Sequence, residues 1–83
     1  MTTPDEIQQN ARKVLYLMVM VQRLRVGEGM APAALKRDLD AHGMGEQDQT
    51  LAIDYARDKG WLQFGPDEEV QITDKGFVLD WGQ

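Results

Sequence analysis

The 83 residues make a single small domain with a thin core, and 42% apolar with 28% charged residues is ordinary for a soluble globular chain. Cysteine and serine do not occur and His42 is the sole histidine, which excludes disulfides, thiolate metal sites, serine or cysteine nucleophiles and a histidine metal triad. The net charge of −5 is unevenly spread, with six bases against three acids in residues 1–37 and three bases against eleven acids in residues 38–83, an asymmetry that bears on partners and solubility rather than on fold.

The first predicted helix opens at Thr3, a good N-cap, with Pro4 in the first helical position and Glu6 placed to complete a capping box. It is expected to run from Pro4 to Val26 and to stop at Gly27-Glu28-Gly29. Its middle, Val14 to Val21, is apolar throughout, so the helix is apolar on every side there. One stripe (Ile7, Ala11, Val14, Leu15, Met18 and Val21) suits a core. The opposite side, with Tyr16, Leu17, Met20 and Leu24, needs a second cover, either the rest of the domain or a twin helix in a homodimer. The apolar run falls well short of the ~18 residues of a membrane span, and acids stand where a signal peptide carries bases. A cytoplasmic protein without membrane association is expected.

A second helix is predicted over Pro32–Ala41, with Ala34, Leu35 and Leu39 inward and Gly43 ending it. His42-Gly-Met-Gly45 is a short glycine-rich corner. The third helix is expected over Glu46–Lys59, burying Leu51, Ala52, Tyr55 and Ala56 and stopping at a left-handed Gly60. Glu46 and Asp48 in its first turn suit the helix dipole. Trp61–Phe64 and Val70–Ile72 then alternate as half-buried strands, joined by a hairpin tip at Gly65-Pro-Asp-Glu-Glu69. Thr73 caps a last short helix through Asp80, with Phe77, Val78 and Trp81 folding back on the core.

Asp58-Lys-Gly-Trp-Leu62 and Ile72-Thr-Asp-Lys-Gly76, at this separation and after two helices, resemble the close of the recognition helix and the strand-to-helix step of the winged helix-turn-helix superfamily. The resemblance covers nearly the whole chain and implies an α+β domain: three N-terminal helices, a two-stranded wing hairpin and a short C-terminal helix. It implies the third helix as the recognition helix and residues 65–69 as the wing. Small domains of this kind are mostly DNA-binding regulators, and a minority dock proteins.

The chain departs from the DNA-binding pattern on the parts such a domain presents. A wing ordinarily supplies bases, and here it carries Asp67, Glu68 and Glu69. The outward residues of the third helix are expected to be Gln47, Thr50, Asp54, Arg57 and Asp58. Gln47, Thr50 and Arg57 suit base edges, whereas the aspartates oppose phosphate. Lys36 and Arg37 on the second helix suit a phosphate backbone. A DNA-associated transcriptional regulator is the first expectation. A protein-docking module, using the acidic third helix and wing against a basic surface, stands close behind it.

Other constellations are weaker. Asp38 to Gln49 mimics a calcium loop, with acids at its first, third and ninth positions and Gly43 at its sixth, yet Gln49 stands where a bidentate carboxylate is required. His42 suits a helix C-terminal dipole partner, and Trp61 and Trp81 suit core and rim packing. No metal, cofactor or catalytic activity is expected, because no carboxylate pair is placed against an apolar pocket that the sequence can locate.

Overall fold

In the computed structural model, which describes residues 3–78, the Thr3 hydroxyl accepts from the Glu6 amide at 3.2 Å and Pro4 opens the first turn, so α1 begins where its cap dictates. It ends earlier than expected. Regular α-helix covers Pro4–Tyr16, and the chain then widens into a π-helical turn over Leu17–Val21, in which the Gln22 amide donates to the Leu17 carbonyl at 2.9 Å. Arg23 follows at φ +58°, a left-handed backbone that breaks the helix. The predicted continuation to Val26 does not form.

The π-helical turn also changes which side chains face inward. Its i→i+5 winding advances less per residue than an α-helix, so a stripe drawn at α-helical spacing drifts off the core. Val21, expected inside, is 51% exposed, while Leu17, expected on the outer face, is 3% exposed. Leu24 packs half-buried against the core, and Ile7 is half-buried too. Of the four residues expected to form a dimer face, Tyr16 and Met20 are exposed and Leu17 and Leu24 are not.

An unpredicted strand, β1 (Gly29–Met30), lies between the first and second helices, where the sequence suggests only a helix stop. It pairs antiparallel with β3 (Val70–Ile72), Gly29 opposite Gln71 and Met30 opposite Val70. Just before it, Gly27 (φ +84°) donates to the Ile72 carbonyl at 2.9 Å, and Ile72 donates to the Glu28 carbonyl at 3.1 Å. Two residues thus oppose one, a bulge that turns the chain from the helix into the sheet. Gly27 serves this bulge and is not a helix stop.

α2 spans Pro32–Ala41 as predicted, burying Leu35 and Leu39, and Gly43 (φ +83°) turns the chain after it. α3 covers Glu46–Asp58, with Gly60 at φ +80° beyond it. Ala52 and Ala56 are fully buried, and Leu51 and Tyr55 only half so. α1 and α3 form the most extensive contact between elements, and small buried side chains on both, Ala11, Ala52 and Ala56, suit a close approach. β2 (Leu62–Phe64) pairs with β3 in the register Leu62–Ile72, Gln63–Gln71 and Phe64–Val70, giving a three-stranded antiparallel sheet in the order β1-β3-β2.

Thr73 caps α4 (Asp74–Phe77): its hydroxyl accepts from the Gly76 amide at 3.2 Å and donates to the Gly60 carbonyl. Gly76 lies against the Trp61 backbone, where a Cβ would collide with the Trp61 carbonyl, so this glycine closes the α4–hairpin junction. Phe77 and Val78 do not fold back on the core; Val78 is 75% exposed. α4 ends at Phe77 with Val78 at its C-cap, earlier than the predicted end at Asp80; Asp80 itself and the packing of Trp81 lie outside the described residues. The molecule is therefore a mixed helix–strand domain of α+β type, with a core built from Val14, Leu15, Leu17 and Met18 against Leu35, Leu39, Met44, Leu62, Val70 and Ile72.

Candidate recognition face

The hairpin tip is built by local turn chemistry. The Glu68 amide donates to the Gly65 carbonyl at 3.0 Å and the Gly65 amide to the Glu69 carbonyl at 2.9 Å. This is a turn with Pro66 at its second position, followed by a left-handed residue, Glu68 at φ +62°. Glycine or asparagine ordinarily takes that place. Gln71 Nε2 holds the Glu69 carboxylate at 2.7 Å and Gln63 Nε2 donates to Gln71 Oε1 at 3.0 Å, so a chain of amides anchors the acidic tip to the sheet. Asp67 and Glu68 are exposed, and Glu69 is half-buried.

Beside the tip, α3 turns Gln47, Thr50, Asp54, Arg57 and Asp58 to solvent, as the sequence suggested. Thr50 also donates back to the Glu46 carbonyl at 3.2 Å. The bases on this side are engaged by neighbours. Arg57 lies 3.7 Å from Asp54, and its guanidinium sits 5.1 Å from the centroid of the Phe64 ring. Lys36 Nζ is 3.0 Å from Asp40. That contact raises the Lys36 pKa, chiefly through the hydrogen bond to Asp40, and lowers that of Asp40, chiefly through the same bond and then through Gln49. Arg37 stands exposed on α2.

Between α2, α3 and the hairpin lies a groove of about 390 Å³. Leu35 and Val70, both buried, line it from α2 and the sheet; Pro32, Ile53 and Phe64 add apolar surface, with Phe64 48% exposed. Lys36, Glu46, Thr50 and Glu68 contribute its polar lining. Lys36, Thr50 and Glu68 are among the contact residues expected from sequence, whereas Ile53, Phe64 and Pro32 are not. Phe64 carried no signal of its place here: alternation puts it on the face of Leu62, yet Leu62 is buried and Phe64 is 48% exposed, so the expected half-buried alternation of this strand does not hold.

Gln49 is the other residue whose role the sequence did not reveal. It is 4% exposed, and its amide nitrogen donates to Asp40 Oδ1 at 2.6 Å and to the Met44 carbonyl at 2.7 Å, joining α2, the corner and α3. Two acids of the calcium-like loop are thus tied up internally: Asp40 by Gln49 and Lys36, and Asp38 by the side chain of Gln22. His42 Nδ1 lies 2.8 Å from the Asp38 carbonyl at the end of α2. Among the described residues, no group of three or more His, Cys, Asp or Glu side chains is placed to hold a metal ion, and no helix is long and apolar enough to cross a membrane.

No family model, curated protein or solved structure matches this chain.

Proposed function

We propose that this chain is a winged helix-turn-helix domain acting in the cytoplasm as a protein-docking module, with α3 and the hairpin offered to a partner that has a basic surface. The charge of the presenting face carries the reading. Of the seven carboxylates in α3 and the Gly65–Glu69 loop, Glu46, Asp54, Asp58, Asp67 and Glu68 are exposed, and the one guanidinium there is already engaged by Asp54 and Phe64. Duplex DNA is held by lysines and arginines that neutralise phosphates, and a face of this sign repels it. The order helix, short strand, two helices and hairpin supports the winged-helix half of the reading, with β1 extending the sheet behind the wing. The apolar groove beside the acids supports docking, because protein interfaces combine a desolvated apolar centre with a polar rim.

The test is affinity capture with the wild-type chain and with a variant carrying Asp67→Lys, Glu68→Lys and Glu69→Lys. A basic partner held by the wild type and lost from the variant is the expected result; equal retention by both contradicts the reading.

A DNA-associated transcriptional regulator is the second reading. It draws on Lys36 and Arg37, adjacent and exposed on α2, and on the excess of bases in residues 1–37. It predicts salt-sensitive duplex binding that is lost on Lys36→Ala, Arg37→Ala or Arg57→Ala.

A further inference from the structure

The chain carries, on a different part of its own surface, the kind of partner that its acidic groove calls for. The stretch Met20–Val26 combines exposed apolar side chains, Met20, Val21 and Val26, with two exposed arginines, Arg23 and Arg25. No acid occurs in it. It comes after exposed Tyr16 and the buried part of the π-helical turn; Leu24 packs against the core, while Met20, Val21 and Val26 are turned outward and left uncovered. The groove is its complement: apolar inside, with Glu46 and Glu68 in its lining, Lys36 there already paired with Asp40, and Asp67 and Glu69 on the adjoining tip.

The two surfaces share no residue, and they lie on different sides of α2. Lys36 lines the groove, whereas Asp38 accepts from Gln22 of the basic stretch. Residues two apart on a helix point roughly 200° apart, so one side of α2 looks to the groove and the other to the stretch. One copy can therefore offer its stretch to a second copy's groove without blocking its own.

We propose that the groove receives the Met20–Val26 stretch of a second copy, giving head-to-tail self-association. Met20 or Val21 enters the apolar groove, and Arg23 and Arg25 meet Glu46, Glu68 and the hairpin acids. Such a contact joins two unlike patches, so it forms an open chain or a ring and not a two-fold dimer. The inference rests on the docking reading, of which it names one partner.

Sedimentation of the purified chain over a concentration series, at low and at physiological salt, tests it together with two variants. One blocks the groove (Thr50→Trp with Glu68→Lys) and the other disables the stretch (Met20→Glu with Arg25→Glu). All four positions are exposed, and thermal unfolding checks that each variant keeps its fold. The expected result is wild-type mass that rises with concentration and falls with salt, and loss of association in each variant alone. An equimolar mixture of a stretch-disabled copy, whose groove is intact, and a groove-blocked copy, whose stretch is intact, then restores association but stops at two copies.

A wild type that stays monomeric at the highest concentration overturns the proposal. So does association abolished by the stretch variant but untouched by the groove variant, which would mark a symmetric dimer of first helices. A mixture that stays monomeric overturns it as well. If a monomeric wild type still captures a basic protein that the lysine-substituted hairpin loses, the docking reading stands and only self-association fails.

Discussion

Gln49 ties three parts of the chain together through one amide group, and it does so where water is excluded. Gln49→Leu keeps roughly the volume but removes both hydrogen bonds and leaves the Met44 carbonyl without its donor. A loss of about 1–3 kcal/mol of stability is expected in urea unfolding, the range for orphaning a buried polar group. Glu68 has the opposite character. An L-residue held in the left-handed region costs about 1–2 kcal/mol, and glycine's larger unfolded-state entropy offsets about 0.5–1 kcal/mol of that relief. Glu68→Gly is therefore expected to raise stability slightly, seen as a higher urea midpoint, while weakening capture of a basic partner. Asp40 gives a pH signature. Its pKa is lowered from 3.8 by Lys36 and Gln49, so its contribution is present above that ordinary value and is lost as the pH falls through the folded one. Asp40→Asn leaves an oxygen for Gln49 but removes the ion pair. The stability gap between wild type and Asp40→Asn is expected to close as denaturation is repeated from pH 6 down to about 3, and a gap that widens instead would refute the assignment. Both partners are half-exposed, so the gap is small.

At the scale of elements, the caps and stops were legible and the irregular segments were not. Thr3, Pro32, Gly43, Gly60 and Thr73 each act through local backbone chemistry that a few neighbouring residues specify, so α2 and β3 fell on their predicted bounds and α3 ended one residue early. The end of the first helix was not legible, because eight apolar residues in succession carry no phase and cannot signal a change to π-helical winding. β1 was missed for a related reason: Gly27-Glu28-Gly29 reads as a helix stop, and only pairing with distant Gln71 and Val70 makes Gly29-Met30 a strand. The groove was only partly legible. Its polar residues stood out in sequence, whereas Pro32, Ile53 and Phe64 come together only when α2, α3 and the hairpin pack. The strand makes its own prediction. Gly29 lies so close to β3 that a Cβ would press into the Val70 carbonyl and the Gln71 side chain. Gly29→Ala is expected to cost about 1–3 kcal/mol, as overpacking does, with loss of protection from hydrogen exchange at Ile72, whose amide donates to Glu28. A neutral substitution would mean that β1 contributes nothing to the fold.

Over the whole molecule, charge is segregated along the chain and the fold preserves the segregation. Residues 1–37 supply most of the bases, while α3 and the hairpin hold seven of the acids, of which Glu46 and Glu68 line the apolar groove. A surface arranged this way selects partners by sign, since like charges suppress wrong encounters and opposite charges speed right ones. Attraction between exposed charges fades beyond about 8 Å at physiological ionic strength and exposed ion pairs contribute little once formed, so a docking partner must also gain from the apolar groove to stay bound. DNA binding and protein docking are close when judged on sequence, and the proposal of docking draws on the pairing of Arg57 with Asp54 and of Lys36 with Asp40.

The most direct measurement is fluorescence anisotropy of a labelled random-sequence DNA duplex titrated with this protein at low salt and again at physiological salt. The docking account predicts no binding at either, because the face that would meet the duplex is anionic. Binding at low salt that weakens steeply with added salt, and that disappears on Lys36→Ala, Arg37→Ala or Arg57→Ala, would contradict it and establish the chain as a DNA-associated protein.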